Sequence, residues 1–357
     1  MSEGGKDIEL MKIAFILFNN PERAPYLFYY TKIADSLNIN YKIIFWDRRG
    51  KVNENNRFAF KEKIQDSKNK LLKVLPFFHY ANFVKKILDE EKFDKVVLFT
   101  SPLALLICGY LIRNGIPYVI DIRDYSCEKI PGVSILLKRY ISRSSFTVIS
   151  APDFKNFLPN ADYYLCHNIG ANNELRQCNV AQKNEPIRIA YVGGFSYFNE
   201  VSAFLISIKN DSRFIFEFYG SGDEKLKEFC KENSIQNCMF HGEYHPSEKD
   251  NILSKINILY NCYGNSNNVV KYALSNKLYD AFKFGLPILV SPSTSMENTA
   301  DFLGIPINTN DPRNGDKIYD WYFSINWSDF RLKAHRKYQE FLSENTKFEQ
   351  KFKMYIQ

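Results

Sequence analysis

The chain has 357 residues, 45% of them apolar and 24% charged, with 30 Phe, 23 Tyr and a formal net charge of +7. That length exceeds the size at which one core usually stops growing, so two domains are expected, and the composition excludes a disordered polymer. Seven scattered cysteines without a Cys-x-x-Cys pair and five dispersed histidines fit a reduced cytoplasm and show no metal-binding spacing.

The opening MSEGGKDIEL is polar, and the apolar KIAFILF after it is too short for a signal peptide, so a loose end followed by a strand is expected. Strand-like runs YKIIFW, KVVLFT, PYVIDI and FTVIS then alternate with helical stretches. The longest apolar stretch, VVLFTSPLALLICGYLIRN, is interrupted by Thr100, Ser101 and Pro102. About ten continuous residues remain where a membrane span needs roughly twenty, so it reads as strand, turn and helix. After the polar ANNELRQCNVAQKNEPIR the series restarts with IRIAYVG, FIFEFYG, INILYNC and PILVS.

This alternation predicts an α/β protein with two Rossmann-like, doubly wound domains of parallel strands. The boundaries are placed at 1–172 for the first domain, 173–186 for a linker and 187–330 for the second domain. Residues 331–357 read as C-terminal helices, with Ser343 able to cap the last one. Their apolar positions need a sheet to pack on, and the first domain's is one candidate.

The positive charge could serve nucleic acid, an anionic membrane surface or an anionic substrate. Lys61, Lys63, Lys68, Lys70, Lys73, Lys85 and Lys86 surround LPFFHY, with Phe77 and Phe78 at its centre, and SILLKRYISR carries Lys138, Arg139 and Arg143. Basic residues mixed with aromatics suit a membrane interface, and solvated helix faces account for them equally well. They are not gathered on one recognition element, which argues against nucleic acid.

In open α/β sheets ligands sit beyond the carboxyl ends of strands. In the second domain these positions are Gly193 and Gly194, Gly220 and Gly222, Tyr263, and Ser291 to Met296. Glycines there let a diphosphate approach backbone amides, although tight turns explain such glycines more often than ligands do. In SNKLYDAFKFGLPILVS, a helix stopped by Gly285, Leu278, Ala281 and Phe282 supply the buried face; Lys277 and Asp280 alone would read as a solvated surface pair, and their place after the fourth strand of the second domain points to a ligand with phosphates and hydroxyls. In the first domain IPYVIDIRDYSCEK ends a strand in Asp121, Arg123 and Asp124. Such a carboxylate can act as a general base or orient a hydroxyl, and it can equally pair with Arg123 or cap the next helix.

Together NKLYDAFKFGLPILVS, IAYVGGF, FEFYGSGDEKLKEFCKENSIQNCMFHGEY and VIDIRD resemble glycosyltransferases of the two-domain GT-B fold, more narrowly those of family 4 that build capsules, O-antigens and exopolysaccharides. The resemblance runs from Lys12 to about Ile305 and implies two domains facing a cleft. It implies that Lys277 contacts the donor diphosphate and Asp280 the ribose hydroxyls. Gly193 and Gly194 match the glycine turn under the phosphates, and Gly220 and Gly222 the loop beside the base, with Tyr263 also on the donor side. Asp121 and Arg123 would be on the acceptor side, and Asp124 on the reacting side. Two departures stand out: Tyr272 occupies the place of a glutamate common in the family, and GGFSYFNE lacks its usual arginine and lysine.

The expected activity is therefore a metal-independent transfer of a hexose-type sugar from a nucleoside diphosphate sugar, UDP-linked rather than GDP-linked, to a lipid-linked or oligosaccharide acceptor. No cofactor is expected, and the setting is the cytoplasm, with peripheral contact to the inner face of the membrane. A catalytically silent subunit supporting a partner transferase, and a nucleotide-sugar epimerase, are the alternatives.

Overall fold

The computed structural model describes residues 11–47, 57–62, 70–128, 130–170 and 172–357. The chain forms two compact units, Met1–His167 with Glu344–Gln357, and Asn168–Ser343.

The first unit contains a parallel sheet of β1 (Lys12–Leu17), β2 (Asn40–Trp46), β3 (Arg57–Phe60), β4 (Lys95–Phe99), β5 (Tyr118–Ile122), β6 (Phe146–Ile149) and β7 (Tyr163–Leu165). Their order is β3-β2-β1-β4-β5-β6-β7. Strand β5 is buried along its whole length, as a central parallel strand covered on both faces requires. Phe15, Tyr30, Phe99, Phe348 and Phe352 meet in the core, with the Tyr30 and Phe352 ring centroids 4.8 Å apart.

The second unit is built on β8 (Ile187–Val192), β9 (Phe214–Tyr219), β10 (Cys238–Gly242), β11 (Ile258–Asn261), β12 (Ile288–Val290) and β13 (Gly304–Pro306), in the order β10-β9-β8-β11-β12-β13. One face carries Ala190, Val192 and Leu259 under Leu278, Phe282, Phe330 and Phe341. The other carries Ile189, Tyr191, Phe216 and Tyr260 under Phe204 and Tyr322. Because β8 pairs with β9 on one side and β11 on the other, the connections part at the carboxyl end of β8, where a doubly wound sheet opens a crevice.

Two expectations change. Residues 173–186, read as a linker, lie along the second unit: Arg176 and Cys178 donate their amides to Lys283 O and Phe284 O, each at 3.1 Å, and Asn179 donates to Ser254 O at 2.9 Å. Helix-terminal carbonyls without intrahelical partners hold this stretch. Ser343 caps nothing, because Trp327–Ile356 is one continuous helix of 30 residues without a glycine or proline to stop it. Its residues up to Ser343 belong to the second unit and those from Glu344 to the first.

In the first unit Phe77 is half-buried: its ring packs on Phe18 and Trp46, at 5.4 and 5.2 Å. Phe78 is 52% exposed, beside the exposed Val74 and Leu75. On the helix Val133–Ile141, Ile135 and Leu136 are exposed, as are Lys138, Arg139 and the nearby Arg143. Lys63 and Lys68 lie outside the described residues. Among those described, no helix is long and apolar enough to cross a membrane.

Candidate functional site

The carboxyl ends of β8, β9 and β10 are stitched together by backbone bonds. Gly193 N donates to Tyr219 O and Gly220 N to Gly242 O, both at 2.8 Å. Gly193 and Gly220 have φ of +127° and +149°, which side-chain-bearing residues rarely adopt. A Cβ on Gly220 would sit 2.0 Å from Gly193 O, so the close approach of the two turns alone demands glycine there. Gly194 is different. Its own Cβ would meet nothing within 4 Å, because it opens onto a cavity of about 280 Å³ lined also by Gly193, Gly220, Ser221, Glu243, Tyr244, Pro246 and Lys249. Gly222 falls outside that lining, and its φ of +83° marks a turn residue against Phe195.

Ser275 caps the helix Asn276–Phe284 by accepting from Lys277 N at 3.3 Å, and Gly285, in the left-handed conformation, ends it. Leu278, Ala281 and Phe282 are fully buried, which aims the first-turn Lys277 out of the core toward the glycine turn. Its Nζ lies 4.0 Å from where a Cβ on Gly193 would stand. The ammonium donates to the Tyr263 hydroxyl and sits 4.3 Å from the Tyr191 ring centroid and 5.0 Å from that of Tyr263. Tyr197, itself in the left-handed conformation at φ +62°, stacks on Tyr263 at 4.3 Å. Burial pushes the Lys277 pKa down to about 7, with Asp280 opposing and Lys249 adding to the fall. Burial likewise raises the Tyr263 phenol well above its ordinary value.

Asp280 is not open to a ligand in the way its position suggested. Its Oδ2 pairs with Lys249 Nζ at 2.6 Å. Lys249, Tyr191, Tyr197 and Tyr244 were all missed by sequence reasoning. They are scattered over a strand, loops and a helix start, and the one local sign was the Pro246–Glu248 turn that precedes Lys249.

In the first unit Asp121 and Arg123 do not present themselves to an acceptor. Asp121 is wholly buried, accepting from Arg123 Nη2 and from the Tyr30 hydroxyl, each at 2.6 Å, while Arg123 Nη1 donates to Cys166 O at 2.8 Å. Burial raises the Asp121 carboxyl against the lowering pull of Arg123, and Asp121 holds the guanidinium well above its usual range. The pair is internal because β5 is covered on both faces, and an acid on a strand so buried needs a cation beside it. Asp124, beyond the strand end, is exposed. Its surroundings raise its pKa, chiefly by desolvation, with Arg123 opposing and Glu128 adding.

The cavity's lining therefore combines the glycine turns with Lys249, itself paired to Asp280, and the acid Glu243, while Lys277, with a pKa of about 7, stands beside the lining residue Gly193. That is chemistry for an anion attached to a hydroxyl-bearing group.

No family model and no curated relative matches the sequence. The fold has clear counterparts among solved structures. The lipopolysaccharide outer core galactosyltransferase WaaB is 14% identical with a TM-score of 0.64, over 94% of this chain and 99% of that one. The Anabaena protein Alr3699/HepE, solved with UDP, is 11% identical with a TM-score of 0.64, over 95% and 98%. UDP-GlcNAc 2-epimerase from Neisseria meningitidis, bound to UDP-GlcNAc, is 11% identical with a TM-score of 0.56, over 94% and 100%. The chain has the GT-B fold.

Proposed function

We propose that the chain is a glycosyltransferase that takes a hexose-type sugar from a nucleoside diphosphate sugar, UDP-linked in preference to GDP-linked, and passes it to a lipid-linked or oligosaccharide acceptor without a metal ion. The observation that carries this reading is the Lys277 ammonium beside Gly193, one of the glycines that line the cavity at the switch point of the second sheet. Alr3699/HepE, of the same fold, was solved with UDP. As the bond from the sugar's anomeric carbon to the diphosphate breaks, negative charge grows on the leaving oxygen. A fixed ammonium and oriented amides stabilise that charge at no reorganisation cost.

The acceptor hydroxyl forms the new bond to the anomeric carbon, and Asp124 is the residue we assign to orient it or take its proton. Its place just beyond the carboxyl end of β5, exposed to an incoming hydroxyl, supports that assignment. Asp280 binds the ribose hydroxyls. Acceptors of the lipid-linked kind would bring the first unit to the cytoplasmic leaflet through Phe78, Ile135, Leu136 and the surrounding basic residues.

The test is transfer by the purified chain alone, using radiolabelled UDP- and GDP-sugars with lipid-linked and oligosaccharide acceptors, with and without EDTA. Tight nucleotide binding with no transfer unless a second protein is added would favour the silent subunit. A changed sugar on an intact donor would favour the epimerase, whose fold is shared but for which the sequence offers no acid–base pair.

A further inference from the structure

The turn after β8, GGFSYFNE, brings amides to the cavity and no cation. A diphosphate carries more charge than one lysine offsets, so a second cation would have to come from another element. Lys277 reaches the site from beside Gly193; in the cavity's lining itself, among the described residues, Lys249 is the only basic residue and Glu243 the only acidic one.

Its placement is built. The turn Pro246–Glu248 is closed at both ends: Glu248 Oε2 accepts from His245 N at 2.7 Å, and His245 Nδ1 accepts from Ser247 N at 3.4 Å. Lys249 then opens the helix Lys249–Lys255, where the free amides of a helix start disfavour a cation. Asp280 compensates by holding the ammonium at 2.6 Å. The same ammonium is close enough to Lys277 to depress its protonation, so the three groups share one field.

We propose that Lys249 is the second phosphate-binding cation of this cavity, and that it leaves Asp280 for a ligand's phosphate, so that one movement supplies positive charge to the phosphate and frees a carboxylate for a sugar hydroxyl. The inference rests on the cavity being a nucleoside diphosphate site. It has a consequence that a plain electrostatic contact lacks. A nucleoside without phosphate offers Lys249 nothing in exchange and must compete with it for Asp280, whereas a diphosphate draws the lysine away. Phosphate and ribose recognition are thereby coupled through one side chain.

The experiment compares the parent chain with Lys249→Met and Lys249→Arg, titrated with UDP by calorimetry and with uridine by ligand-observed NMR. GDP and guanosine replace them if the parent prefers guanine. Lys249→Met is expected to weaken the diphosphate at least about tenfold, the size of one lost charge-assisted contact, and to bind the nucleoside as well as or better than the parent. Lys249→Arg keeps diphosphate affinity within a few-fold. Melting curves establish that each variant is folded, and Lys249→Gln substitutes for Met if that variant is not. Unchanged diphosphate affinity, or equal weakening of diphosphate and nucleoside, overturns the inference while leaving the cavity's assignment standing. A parent chain that binds no nucleoside diphosphate overturns the assignment itself, and the inference with it.

Discussion

Lys277 carries its ammonium 4.3 Å from the centroid of the Tyr191 ring, an arrangement that keeps a cation in a largely desolvated place. The ring's negative face offsets part of the lost hydration. The rest of the cost shows as a pKa of about 7. A bound phosphate would restore the charged form. Nucleoside diphosphate binding at pH 8 is therefore expected to take up a proton, read as a difference in apparent binding enthalpy between phosphate and Tris buffers. Equal enthalpies after correction for dilution would remove Lys277 from the phosphate site.

The same lysine links stability to pH. Its folded pKa lies below the unfolded value of 10.5, so between about pH 7 and 10.5 the unfolded chain binds more protons, and stability rises with pH across that window. Below pH 7 the buried charge destabilises the fold in full. Lys277→Met should raise the melting temperature more at pH 6 than at pH 10, and should weaken nucleoside diphosphate binding by about 1.5–3 kcal/mol. A variant with the parent's pH dependence would contradict the burial argument.

The two glycine turns separate a packing role from a ligand role. Gly220→Ala drives a Cβ into Gly193 O and should lower the melting temperature sharply. A Cβ at Gly194 meets nothing within 4 Å and points into the cavity, so Gly194→Val should melt within a few degrees of the parent yet lose nucleotide affinity by filling the cavity. Intact binding by folded Gly194→Val would place the ligand elsewhere.

Asp121 and Asp124 should part in the same manner. Asp121→Asn leaves Arg123 buried without its partner, at a cost of about 3–5 kcal/mol, visible as a lower denaturation midpoint. Asp124→Asn, exposed at the strand end, should leave that midpoint unmoved and reduce turnover. Full activity in Asp124→Asn would end its assignment to the reacting side.

For the membrane, co-sedimentation with vesicles containing anionic lipid is expected, and should fall at high salt as exposed charges are screened. Replacing Lys138, Arg139 and Arg143 by glutamate should remove about 1 kcal/mol or more for each cation lost near the surface. Exchanging Ile135 and Leu136 for serine should weaken binding without restoring it at low salt. Equal recovery on neutral and anionic vesicles would favour an acceptor free in solution.

Hydrophobic patterning was enough for the central strands, because β1, β5, β8 and β11 are largely covered on both faces and so read as mostly apolar runs, broken only by single polar residues such as Asp121 and Arg188. The glycine turns and the NKLYD helix were legible for the same local reason: cap, buried face and stop all lie within a dozen residues. Strands β3, β7, β10 and β13 were missed, being short edge or near-edge elements whose pairing comes from neighbours distant in sequence. The partners of the site were equally hidden. Tyr191, Lys249 and Lys277 are separated by 28 to 86 positions, and only the parallel order β10-β9-β8-β11 brings their side chains to one place. Whether a charged residue meets water, a phosphate or another side chain depends on those distant groups, which is why Asp121 proved internal and Asp280 proved paired.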